Sequence, residues 1–324
     1  VSSHLERFVV HESLDPRNID DSGSNSGRVE SVDWVKGPPL VIAYLGGNGH
    51  APARLERVRA ELDRDRGDHC PPIEIREAAY PGFEGRATAA DLDEFLRRTR
   101  ESLPDRPDLV VGSGIGGLIA LSLRARGRLD APLALHAPVL WGLETRRFPK
   151  IMRWRAPRMA VTLLFRLPWF QARFARKHFR GPLDAATRRR FFDGYRRCPA
   201  FGQLFEWFTP ALLRDLEGRF RADPGLLGGV EVWWGGGDAV LGPLEMEVTE
   251  EALGRLPWSV RTFPAWGHYP SLDVPGEFAD ALACAVEDAR GVSGRPLSEA
   301  RQPGAGAAVG PDGPGDAVGG GPVS

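Results

Sequence analysis

The stretch Leu109-Val-Val-Gly-Ser-Gly-Ile-Gly-Gly-Leu-Ile-Ala-Leu121 constrains this chain more than any other. Its first half reads as an apolar strand and its second half as an apolar helix, so the backbone must turn within the glycine-rich centre. A buried strand that turns sharply into a helix is crowded on both sides of its apex, and small residues are needed two positions before and two after. With the apex at Gly114 those positions are Gly112 and Gly116. With the apex at Ser113 they would be Val111 and Ile115, a poor fit. Ser113 is then expected to point away from the apex, because strand side chains alternate between faces.

Strand-like and helix-like segments alternate around this turn. Pro39 to Leu45 is a continuous apolar run closed by Gly46-Gly47, the pattern of a strand buried on both faces. Pro52 to Arg64 carries Leu55, Val58 and Leu62 at helical spacing. Ile73 to Ala79 reads as a strand ending at Pro81-Gly82. Thr88 to Leu103 places Leu92, Phe95, Leu96 and Leu103 on one helical face, with Thr88 as the expected N-cap. Ala131 to His136 and Val230 to Trp234 complete the strand candidates. This alternation predicts an α/β fold with a mostly parallel sheet flanked by helices.

Charge divides the chain differently. Arg146 to Arg197 holds 16 Lys and Arg against Asp184 and Asp193, a net +14, whereas the rest of the chain carries −15 within an overall −1. Pro168 sits where a helix could start, and Arg173, Arg176, Lys177 and Arg180 follow at i, i+3, i+4 and i+7. A further helix is expected from Asp184 through Arg197. The block is read as a separate helical subdomain whose basic face is either simply solvated or attracts an anionic substrate or an anionic membrane surface. Phe165, Trp169, Phe170, Phe174, Phe179, Phe191 and Phe192 read as core and cleft wall, and no nucleic-acid partner is expected.

Beyond Gly291 the chain holds ten Gly and five Pro, counted from that residue to Ser324, and too little apolar surface to offset its chain entropy. The expected organisation is an N-terminal extension at 1–29, a core in two parts at 30–140 and 227–290, a basic helical insertion at 141–226, and a disordered tail at 291–324. Cys70, Cys198 and Cys284 are too few and too scattered for a disulfide framework or a zinc site. No apolar run approaches the ~20 residues of a membrane span, and Val1 to Ile19 lacks a signal-peptide pattern. The expectation is a cytoplasmic protein with no metal and no cofactor; its oligomeric state is not legible.

A glycine-rich turn of this kind also suits phosphate binding, since Gly112, Gly114 and Gly117 satisfy a G-x-G-x-x-G spacing, although no P-loop lysine follows. The flanking loops point elsewhere. Gly112-Ser-Gly-Ile-Gly-Gly117 resembles the nucleophile elbow of the α/β-hydrolase family, Gly-x-Ser-x-Gly-Gly after a buried strand. Leu45-Gly-Gly-Asn-Gly-His50 is similar to that family's oxyanion loop, and Ala79-Tyr-Pro-Gly-Phe-Glu-Gly85 to its Pro-Gly-x-Gly turn. Trp234 to Pro243 is similar to the loop carrying the catalytic acid, and Trp266 to Ser271 to the loop carrying the base.

The resemblance implies an α/β-hydrolase fold with the basic block as its helical cap, Asp238 as acid, His268 as base, and the Ile115 and Asn48 amides as oxyanion hole. It also implies a departure: the nucleophile position is Gly114, which has no atom with which to attack. Two functions follow. One is a hydrolase or related lyase-type or oxygenase-type enzyme in which His268 and Asp238 take a proton from water or from a small, partly apolar substrate. The other is a catalytically silent protein holding an apolar ligand between core and cap.

Overall fold

The computed structural model describes residues 38–47, 54–64, 71–138, 151–152, 154–196, 203–241 and 258–291. The expected N-terminal extension, Asn48 and, beyond Gly291, the expected tail lie outside the described residues.

Among the described residues six parallel strands form one sheet. They are β1 (Leu40–Leu45), β2 (Ile73–Glu77), β3 (Leu109–Ser113), β4 (Leu133–His136), β5 (Val230–Gly235) and β6 (Ser259–Phe263), in the order β2-β1-β3-β4-β5-β6. Both faces are covered, which is why the central strands are continuous apolar runs. Ile42 and Tyr44 of β1 face one core with Val111 of β3 and Trp233 of β5. Ala43 and Leu45 face the other with Val110. Helices α1 (Glu56–Arg64) and α9 (Pro275–Arg290) close the first face through Val58, Leu62, Phe278 and Leu282. Helices α2 (Leu92–Glu101) and α3 (Ile115–Arg124) cover the second. Every residue of α3 is buried.

The expected N-cap of α2 is corrected by one helical turn. Asp91, not Thr88, caps it, its Oδ1 accepting from the Glu94 amide at 2.8 Å. Asp91 stands directly before the first helical residue, where a carboxylate meets the free amides and the positive end of the helix dipole.

Between β4 and β5 the chain leaves the sheet. The described helices there are α4 (Arg155–Leu164), α5 (Pro168–His178), α6 (Ala185–Arg196), α7 (Gln203–Trp207) and α8 (Pro210–Ala222). Pro168 occupies the first turn of α5, as its fixed φ favours. Asp184 receives the Thr187 amide at 2.8 Å ahead of α6. Phe165, Phe174, Phe191, Phe192 and Tyr195 pack into one aromatic cluster and form the core of the described part of this block; Trp169, expected to join them, is instead 60% exposed, because it lies on the solvent side of its helix. The expected basic face is corrected at its last member. Helix α5 ends at His178, and Arg180 lies beyond it, with its guanidinium on the Ala265 and Pro264 carbonyls rather than in line with Arg173, Arg176 and Lys177.

Candidate functional site

The turn from β3 to α3 has its apex at Gly114, with φ +57° and ψ −119°, a conformation in which L residues are strained. The crowding on either side follows the sequence argument. A Cβ on Gly112 would come within 2.6 Å of the Gly117 Cα, and one on Gly116 within 2.0 Å of the Leu45 carbonyl oxygen. A Cβ on Gly114 itself would meet nothing nearer than the Gly47 Cα, at 3.9 Å. The backbone after β1 therefore passes close over the apex, and Tyr80 fixes it there by donating its hydroxyl to the Gly46 carbonyl at 2.9 Å. Ile115, whose amide the resemblance assigns to an anion hole, is the first residue of α3 and is buried. Amides at a helix start are unpartnered within the helix and carry the positive end of its dipole.

Asp238 and His268 are brought together from the loops that follow β5 and β6. The Nδ1 atom of His268 lies 2.8 Å from Asp238 Oδ2. The other carboxylate oxygen, Oδ1, accepts the amides of Val240 at 2.8 Å and Leu241 at 2.9 Å. Burial alone would raise the Asp238 carboxyl, but the His268 charge and hydrogen bond, with the two amides, overcome it and hold it down at about 2. The carboxylate is thus ionised at neutral pH. It keeps the proton of a neutral imidazole on Nδ1 and leaves the Nε2 lone pair to act as a base.

Ser113 finds its partners outside this pair. Its hydroxyl lies 3.2 Å from Nδ1 of His136 and is hydrogen-bonded to Tyr44. Burial lowers His136 to about 3, with the neighbouring His268 charge adding to the effect, and pushes Tyr44 up to about 12. With its pKa at about 3 and about 12 respectively, neither His136 nor Tyr44 is a base tuned near neutrality for Ser113.

Three residues near the dyad were not singled out from sequence. His136 ends β4 with its ring centroid 6.5 Å from that of His268; its signal was its position at the carboxyl end of a buried strand, where α/β sheets place ligand sites. His178, at the end of α5, is lowered to about 4 by burial, with the His268 and Lys177 charges adding to this. Arg54 is buried with its guanidinium 4.2 Å from the Phe191 ring centroid and 5.6 Å from that of Tyr269, the neighbour of His268. No periodicity marks such an arginine. Among the described residues no group of three or more His, Cys, Asp or Glu is gathered to hold a metal ion, and no helix is long and apolar enough to cross a membrane.

Residues 32–281 match the model of the alpha/beta hydrolase family, and the chain belongs to that family. Its fold is similar to that of the haloalkane dehalogenase DbeA from Bradyrhizobium elkani USDA94, with 15% identity over 79% of this chain and 92% of that one and a TM-score of 0.57. It is also similar to a membrane phospholipase A described as a bacterial virulence factor, with 21% identity over 78% of this chain and 80% of that one and a TM-score of 0.52. No curated protein sequence matches the chain.

Proposed function

We propose that the protein is an enzyme that acts on a small, partly apolar molecule without a covalent intermediate, His268 serving as general base and Asp238 as its orienting carboxylate. The 2.8 Å contact between His268 Nδ1 and Asp238 Oδ2, made from two different loops, carries this reading. A carboxylate already held by two amides needs no imidazole for its own satisfaction, so the second oxygen is committed to the histidine. At the apex, where a nucleophile would stand, Gly114 leaves room for water or for the substrate itself. The amides at the start of α3 would stabilise the anion formed by proton removal. Activation of water gives hydrolysis; removal of a substrate proton gives an anion that expels a leaving group in lyase-type chemistry or reacts with molecular oxygen as co-substrate in oxygenase-type chemistry.

The test uses the full chain against a panel of activated aryl esters and lactones. The expected result is turnover with no pre-steady-state burst and no modification by serine-directed phosphonates, both lost requirements of a covalent route. His268→Ala should abolish turnover and leave the circular dichroism spectrum unchanged. Unchanged activity in that variant would remove the mechanism, and saturable binding of apolar ligands with no turnover would identify a binding protein instead.

A further inference from the structure

Six of the seven large apolar side chains exposed among the described residues fall within 19 positions of the helical insertion: Ile151, Trp154, Met159, Leu163, Leu167 and Trp169. Trp154 is 71% exposed, Met159 66% and Trp169 60%. They are not scattered. On α4, Arg155, Met159 and Leu163 recur at i, i+4 and i+8, which keeps them on one side, and no residue of α4 is fully buried. On α5, Trp169, Arg173, Arg176 and Lys177 fall at i, i+4, i+7 and i+8 and are all exposed. Phe165, in the short connection between the two helices, and Phe174 of α5 both pack on Phe192 of α6. The connection and α5 therefore turn their covered side to the same support.

The charge on this surface has one sign. From Ile151 to Leu183 there are eight Lys and Arg and no Asp or Glu. Arg158 pairs with Glu206, and Arg180 is taken by the Ala265 carbonyl. Arg155, Arg166, Arg173, Arg176 and Lys177 are exposed with no ion-pair partner among the described residues. A protein partner would need its own apolar face and acidic rim, and a nucleic acid has no use for Met159, Leu163 and Leu167. Tryptophan and aliphatic side chains ringed by cations suit the boundary of an anionic bilayer, where indole rings sit at headgroup level and basic residues meet lipid phosphates.

We propose that the α4–α5 face of the insertion is a peripheral docking surface for anionic membranes, with Trp154, Met159, Leu163 and Trp169 entering the headgroup boundary and Arg173, Arg176 and Lys177 bound to lipid phosphates. The surface stands whether or not the dyad is catalytic.

The experiment is vesicle flotation of the full chain with phosphatidylcholine alone and with about 30 mol% phosphatidylserine added. Binding should favour the anionic vesicles and weaken as salt rises, because screening acts over ~8 Å at physiological ionic strength. Each basic residue near such a surface is worth about fivefold, so Arg173→Gln, Arg176→Gln and Lys177→Gln together should lower partitioning by about a hundredfold. Trp154→Ser, Met159→Ser and Trp169→Ser together should lower it by at least about thirtyfold at constant charge. All six positions are exposed, and far-ultraviolet circular dichroism will check that the variants fold. Equal binding to both vesicle types, or none, overturns the proposal. So does an apolar variant that still floats like the parent. Binding of a short duplex DNA that the charge variant loses and the apolar variant retains, with no flotation, would assign the surface to nucleic acid. A dimer dispersed by the apolar variant, again with no flotation, would assign it to a second copy of the chain.

Discussion

Replacing Gly114 with serine puts the missing hydroxyl where the fold has left space for it. The added Cβ meets only the Gly47 Cα, at 3.9 Å, which is ordinary contact. The cost is then the backbone strain of a non-glycine residue at φ +57° and ψ −119°, about 1–3 kcal/mol. The two flanking glycines behave differently. Alanine at Gly116 would drive its Cβ to 2.0 Å from the Leu45 carbonyl oxygen, and alanine at Gly112 to 2.6 Å from the Gly117 Cα, so β1, β3 or α3 must shift. Each should cost more than about 4 kcal/mol, in the range reserved for severe core disruption. Urea unfolding of the three variants checks the ranking. A folded Gly114→Ser protein should then be modified at residue 114 by a fluorophosphonate, since a dyad oriented by Asp238 would have a hydroxyl to activate. Hydrolysis of activated esters should show a burst absent from the parent. A loss of stability at Gly114→Ser as large as at Gly116→Ala would refute the steric argument. A folded variant that is neither labelled nor hydrolytic would refute the alignment of apex and dyad.

Asp238→Asn tests the tautomer. The Val240 and Leu241 amides require an acceptor at the Oδ1 position, so the new amide group must turn its NH2 to His268 and force the ring proton from Nδ1 to Nε2; nitrogen NMR should show that switch, with turnover down by about 10³–10⁴. His136 and His178 should together govern mild acid sensitivity. Burial holds them at about 3 and about 4 in the folded chain against an ordinary 6.5, so below pH 6.5 the unfolded chain binds the extra protons and stability falls as pH drops, each group contributing about 1 kcal/mol or slightly more per pH unit. His136→Gln should reduce that slope in a urea-midpoint profile by its own share, down to about pH 3, and leave the His178 share, which ends near pH 4. The depressed Asp238 contributes in a lower window, its stabilisation lost from about pH 4 down through 2, and that slope should persist in the His136 variant.

The parts of the fold legible in the sequence are those where one physical requirement acts alone. The glycine spacing around residue 114 was decisive because backbone contact at Gly112 and Gly116 leaves no alternative. Continuous apolar runs marked β1, β3, β4 and β5 because both faces of the sheet are covered. The edge strand β6 was not marked: Ser259–Phe263 has Arg261 at its centre, mostly exposed or half-exposed residues, and neither alternation nor an apolar run. Arg180 keeps the helical spacing of Arg173, Arg176 and Lys177 in sequence but not in space, because α5 ends at His178. Gly181-Pro182 carried the signal for that stop. His136 and Arg54 depend on contacts between distant elements, which no local pattern records.

The close association of the two dyad loops follows from backbone packing rather than from the histidine–aspartate bond itself. Gly235, Gly236 and Gly237 precede Asp238, and each faces the loop that carries His268. A Cβ would lie 2.7 Å from the Trp266 carbonyl oxygen at Gly235, 3.1 Å from the Pro264 Cα at Gly236, and 3.2 Å from the Trp266 carbonyl oxygen at Gly237. The Asp238 loop therefore rests flat on the His268 loop, an approach that at Gly235 leaves no room for a side chain and at Gly236 and Gly237 would need the neighbours to give by a few tenths of an ångström. From the other side the insertion closes over both. Phe179 stacks on Tyr269 with ring centroids 4.9 Å apart, the Arg180 amide donates to Asp273 at 3.1 Å, and its guanidinium binds the Ala265 carbonyl beside Gly237. Consecutive residues of the insertion thus grip the base loop before and after His268. Separation of the insertion from the core would remove donors from the Pro264 and Ala265 carbonyls and expose the face of Tyr269. The placement of His268 against Asp238 is in this sense a property of core and insertion together, although neither dyad residue belongs to the insertion.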